Sequence, residues 1–136
     1  MSYGVGAALQ SAIFQAIAND ATVVGFVGAN VFDAPPSGTV PPLYVTLGPE
    51  TVVDASDQTG QGARHAVVVS VLSDMAGFLR AKQVAAAVSD VLVDADLSLT
   101  RGHLVGLSFV SAKARRVPNS DVRRIDMTFR ARVEDN

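Results

Sequence analysis

The chain of 136 residues has no cysteine and no tryptophan. Without thiols it forms no disulfides, carries no thiolate nucleophile and offers no cysteine-based zinc site, an absence that fits a cytosolic protein. Tyrosine occurs only twice, and neither Tyr3 nor Tyr44 is interleaved with basic residues. Recognition of single-stranded nucleic acid by base stacking is therefore unsupported. Hydrophobic residues make up 49% of the chain, largely as valine and alanine. No apolar run approaches the ~20 residues of a membrane span. The opening MSYGVGAALQ lacks the basic region of a signal peptide.

Recognisable chemistry is equally scarce. His65 and His103 are the only histidines, and neither has a carboxylate or second histidine at metal-ligand spacing. No HExxH, CxxC or GxSxG pattern is present. Gly4-Val5-Gly6 stands at the chain start rather than after a strand, which excludes a dinucleotide fingerprint. Thr59-Gly60-Gln61-Gly62 lacks the lysine and helix entry of a P-loop. Asp90 and Asp94 share a helix face, but Asp96 lies past it and no glycine-hinged calcium loop follows. The expectation is a non-enzyme with no cofactor and no metal.

What is present is pattern. The length suits one domain over residues 1–136, large enough to bury roughly two thirds of its unfolded surface. Residues 5–18 place Val5, Leu9, Ala12, Ile13, Ala16 and Ile17 on one helical stripe. Asn19 and Asp20 end that helix, and Asp20 caps a shorter one over 21–27. A short extended piece at 30–33 leads into APPSGTVPP, whose prolines forbid helix and interior strand alike. From Leu43 the period becomes two, with Leu43, Val45 and Leu47 on one face and a bend at Gly48–Pro49. Residues 66–72 (AVVVSVL) are apolar on both faces, the mark of a central strand covered on each side. A helix is expected over 75–93, capped by Ser73–Asp74 and buried along Phe78, Ala81, Ala85, Val88 and Leu92. A closing hairpin places Val105, Leu107 and Phe109 on one face of its first strand. In its second strand Ile125, Met127, Phe129, Ala131 and Val133 alternate with Arg124, Asp126, Thr128, Arg130 and Arg132. Val117-Pro118-Asn119-Ser120 is the turn. The order α-α-β-β-β-α-β-β predicts an α+β domain, with helices on one face of a largely antiparallel sheet.

Two polar features stand out. Net charge is only −2, yet residues 113–136 hold seven basic groups against four acidic ones, so the basic charge is concentrated at one end. Arg124, Arg130 and Arg132, with Arg115 and Arg116 across the turn and Asp126 among them, form a basic row. Three readings stay open for it: a solvated face, an oligomer interface or a phosphate-facing surface. The second feature is the stretch 54–64 (DASDQTGQGAR), with no apolar residue larger than alanine to order it by burial. A loop there, long for a hairpin, is expected to be mobile in the isolated subunit.

The run from Pro42-Leu43-Tyr44-Val45 through Gly48, Asp54, Thr59-Gly60, His65, Ser73-Asp74 and Gly77-Phe78 resembles the core of the tail-completion, or tail-terminator, proteins. These belong to long-tailed phages, prophages and gene-transfer agents. The early helix and the Asp33-Ala34-Pro35-Pro36 turn fit the same pattern, so the resemblance covers nearly the whole chain. It is nearest the gene-transfer-agent branch.

The resemblance implies a structural particle protein made in the bacterial cytoplasm. It would form a ring, usually hexameric, at the head-proximal end of the tail. The ring would end tube polymerisation and meet a neck or stopper protein, leaving a channel through which DNA passes transiently. Its partners would be further copies of itself, the tail-tube protein and the neck protein, with no membrane. Within that picture Arg115, Arg116, Arg124, Asp126, Arg130 and Arg132 become the intersubunit or channel candidates. Asp54, Ser56, Asp57, Gln58, Thr59, Gly60, Gln61, Gly62 and Arg64 become the loop that orders on assembly.

Overall fold

Five strands and three helices, arranged as the periodicities predict, are seen in the computed structural model, which describes residues 3–56 and 62–135. Helix α1 spans Gly6–Ala18 and buries Leu9, Ile13 and Ile17 at spacings of four. Asn19 ends it, and the Asp20 carboxylate accepts from the amides of Thr22 and Val23 to cap α2, Ala21–Val27. Strand β1 is only Val31–Phe32. The proline-rich segment then leads to β2, Leu43–Asp54, whose register slips between Leu47 and Glu50. That slip is the bulge expected at Gly48–Pro49.

Strand β3 covers Gly62–Ser73, α3 covers Leu79–Leu92, and β4 (His103–Arg116) and β5 (Arg123–Glu134) form the closing hairpin. The sheet order is β1-β2-β3-β5-β4, antiparallel throughout except for the β1–β2 pair. Strand β3 is central, as expected, but among the described residues the cover expected on both its faces is found on one: Ala66 and Val68 on the other face are only partly buried.

Alternation decides which sheet face is covered. On β5, Ile125, Met127, Phe129, Ala131 and Val133 are all buried. Through the ladder they share a face with Ala63, His65, Val67, Val69 and Val71 of β3. The helices pack on this face, where Val45, Val69, Phe129, Val84, Val88, Leu92, Leu9 and Ile17 form the core. The opposite face has no helical layer among the described residues.

Three expectations are corrected. The stretch 54–64 is not one loop: Asp54 closes β2, while Gly62, Ala63 and Arg64 open β3. Strand pairing orders these residues through their backbones, Asp54 on one side against Ala63 and the β3 residues on both, Arg64 lying between Val53 and Arg132, so side-chain burial is not required. Gly62 fits because a Cβ there would stand 3.0 Å from the Ala55 carbonyl oxygen. Residues 57–61 lie outside the described residues.

The expected cap at Ser73–Asp74 is also absent. Ser73 belongs to β3, and its hydroxyl accepts from the Met75 amide in a local turn. Gly77 is left-handed (φ +75°), which breaks any helix through 75–78, and α3 starts only at Leu79. Finally, Val105 does not share a face with Leu107 and Phe109. Register shifts between Leu104 and Gly106 and between Phe109 and Ser111 make Leu104, Leu107, Phe109, Ala112 and Ala114 the inward set, leaving Val105 exposed.

Candidate assembly surface

The uncovered sheet face gathers most of the basic row. Residues of even number on β5 point there, and the ladders place Arg64, Ser70 and Leu72 of β3 and Lys113 and Arg115 of β4 beside them. Asp126 sits at the centre. It accepts from the Ser70 hydroxyl (2.6 Å) and Arg124 Nε (2.7 Å), with Arg115 Nε at 3.7 Å. Arg124 Nη2 also donates to the Ser70 hydroxyl at 3.3 Å. Partial burial alone would raise the Asp126 pKa. The Ser70 hydroxyl and the two guanidinium groups outweigh it and hold the carboxyl below the usual carboxylate range.

The remaining arginines divide by role. Arg132 donates Nη2 to the Ala55 carbonyl at 3.0 Å, tying β5 to the end of β2. Arg130 is exposed, and with Arg64 and Lys113 it has no acidic partner among the described residues. Arg116 is separated from the group. It has the opposite strand parity and turns back to the Ser120 carbonyl and the Asp121 carboxylate. The structure thus brings Arg115, Arg124, Asp126, Arg130 and Arg132 together and leaves Arg116 at the hairpin tip.

At the other end of the sheet, Asp54 accepts from both the amide and hydroxyl of Ser56, and these bonds lower its pKa. The Ala55 amide donates to the Gly62 carbonyl. Both ends of the expected loop are therefore held by hydrogen bonds, while Asp57, Gln58, Thr59, Gly60 and Gln61 lie outside the described residues.

One polar cluster escaped the sequence reading. His65 is buried on the helix-facing side, its Nδ1 3.0 Å from Glu50 Oε2, and the Tyr3 hydroxyl donates to Glu50 Oε1 at 2.7 Å. The Tyr3 ring stacks on the imidazole. The hydrogen bond and charge from Glu50 raise the Tyr3 pKa. This cluster fastens the start of the chain to the sheet. Its members are 15 and 47 residues apart, and the bulge between Leu47 and Glu50 turns Glu50 inward, so no local spacing announces it. Among the described residues, no group of three or more His, Cys, Asp or Glu side chains is placed to hold a metal ion.

Comparison with known proteins bears on this surface. A family model described as "Tail completion protein gp17" matches residues 11–134. No curated protein matches. Among solved structures, a chain of the "Virion of native gene transfer agent (GTA) particle" is 59% identical, with a TM-score of 0.92. The match covers 98% of this chain and 99% of that one.

Proposed function

The chain belongs to the tail-completion protein family, and on that premise we propose that it is the tail terminator of a phage-like particle. The family is one of structural tail proteins. Several copies, six in the proposal, close a ring at the head-proximal end of the tail. The ring ends growth of the tube and joins the tail to the neck, leaving a central channel for DNA. The observation that carries this reading is the near-full-length similarity to a gene transfer agent virion protein.

The mechanism is geometric. One surface of each subunit matches the last tube ring and another matches the neck protein, and growth stops because the two surfaces differ. The basic sheet face serves contact between subunits rather than the lumen, since tight phosphate pairing would slow passing DNA. Asp126, paired with Arg124 and Arg115, offsets one of their two positive charges and so lowers the charge a phosphate would meet. A second reading, a phosphate-facing surface, draws on Arg64, Lys113 and Arg130, which have no acidic partner among the described residues.

Native mass spectrometry and negative-stain imaging, on the protein alone and with tail tubes added, separate the possibilities. A discrete pored ring is expected. Open tubes would instead indicate a tube protein, and a monomer with salt-sensitive DNA affinity would indicate a nucleic-acid module.

A further inference from the structure

The sheet ends in two open edges of different kinds. At one end β4 is a strand of 14 residues with no strand beyond it among the described residues. Its outer side carries one internal backbone tie, from the Asp94 amide to the Leu107 carbonyl. Strand edges of this length are normally covered or shortened, because unpaired backbone groups attract another strand. Here the edge bears exposed Val105, Phe109 and Val110. At the other end β1 pairs only with Val45 and Thr46, leaving the half of β2 from Leu47 to Asp54 without an outer strand. Val53 on that half is 51% exposed.

We propose that these edges join between copies, β4 of one subunit adding to the second half of β2 of the next so that the sheet continues across the ring. The inference rests on the ring reading and adds an edge contact between copies to the one proposed for the basic face. Strand direction supports it. The ladders β2–β3, β3–β5 and β5–β4 are each antiparallel, so β4 runs opposite to β2. Two copies in the same orientation therefore bring β4 and β2 together antiparallel, the pairing used by the rest of the sheet.

Level supports it as well. Val53 pairs with Arg64, Arg64 with Arg132, and Arg132 with Gly106, so Val53 and Gly106 occupy one row across the sheet. Glu50, Val67, Phe129 and Phe109 form another row. The apolar first half of β4 is thus level with the open half of β2, whereas its basic second half is level with the part that β1 covers. Gly106 also leaves open space where a Cβ would stand, room for an approaching strand. Because the two edges differ, the contact is heterologous, and repetition closes a ring or extends a filament rather than making a two-fold dimer.

The chain has no native cysteine, which makes the test direct. Val53→Cys and Val105→Cys are made separately, checked for an unchanged melting temperature, and oxidised alone and mixed, with and without tail tubes. The mixture is expected to give a covalent dimer at twice the 14.1 kDa chain mass that neither variant gives alone. The double variant is expected to give a ladder of higher multiples. A dimer from Val105→Cys alone would mean β4 meets β4 and would overturn the proposal. Rings without the mixed dimer would overturn edge pairing but leave the ring reading standing. Monomers throughout, with no cross-link, would overturn both.

Discussion

Asp126 shows how a single carboxylate stabilises a sheet face that no helix covers. Its folded pKa lies below the unfolded value, so its contribution is fully present above the unfolded carboxylate range of about 3.9 and is lost as pH falls through the folded value. Asp126→Asn is therefore expected to melt at a lower temperature than the wild type near neutral pH. The gap should close as pH falls below about 4 in thermal scans from pH 3 to pH 7. A gap that does not vary with pH would show that shape rather than charge accounts for the difference. Phe129, fully buried and edge-on to Phe109 at 5.8 Å, tests the other face. Phe129→Ala is expected to cost about 3–5 kcal/mol in urea unfolding. Both residues were legible in sequence as opposite phases of one strand. The Tyr3–Glu50–His65 cluster was not, because a bulge and two long sequence separations assemble it.

Elements were readable where side chains alone decide their form. The Asp20 cap, α1, α2 and the β5 alternation follow from capping chemistry and periodicity, and the structure has them where those rules place them. Boundaries set by backbone geometry do not follow from side-chain chemistry. The segment before α3 carries good capping residues, yet left-handed Gly77 delays the helix, and bulges in β4 change which residues face inward. The left-handed glycines give a graded test. Gly77 has φ +75° with open space around a would-be Cβ, whereas Gly102 has φ +68° and that Cβ would fall 2.4 Å from the Glu134 carbonyl oxygen. Gly77→Ala is expected to cost about 1–2 kcal/mol, the strain of a left-handed residue alone. Gly102→Ala should cost more, because β5 backbone must also move. Equal losses in chemical denaturation would show that the backbone clash adds nothing to the strain.

For the molecule as a whole, one sheet face is covered by helices and the other presents charge. On the assembly reading, the charged face is where copies meet. Arg130→Glu is the clean probe, since Arg130 makes no ion pair among the described residues, whereas Arg132 also holds the end of β2. The variant is expected to keep the wild-type melting temperature within about 0.5 kcal/mol of stability while forming fewer rings by native mass spectrometry. Unchanged assembly would assign Arg130 to solvent.

The order of amino acids by itself determined the α+β class, the order of the elements and the inward face of β5, because each follows from side-chain periodicity within a few residues. It also carried the family resemblance. Only the tertiary structure decided that Asp54 and Gly62–Arg64 belong to two paired strands, that Arg116 leaves the basic group, and that Glu50 meets His65. Those outcomes depend on hydrogen-bond register between strands far apart in the chain, and register is settled by the packed sheet rather than by any short stretch of residues.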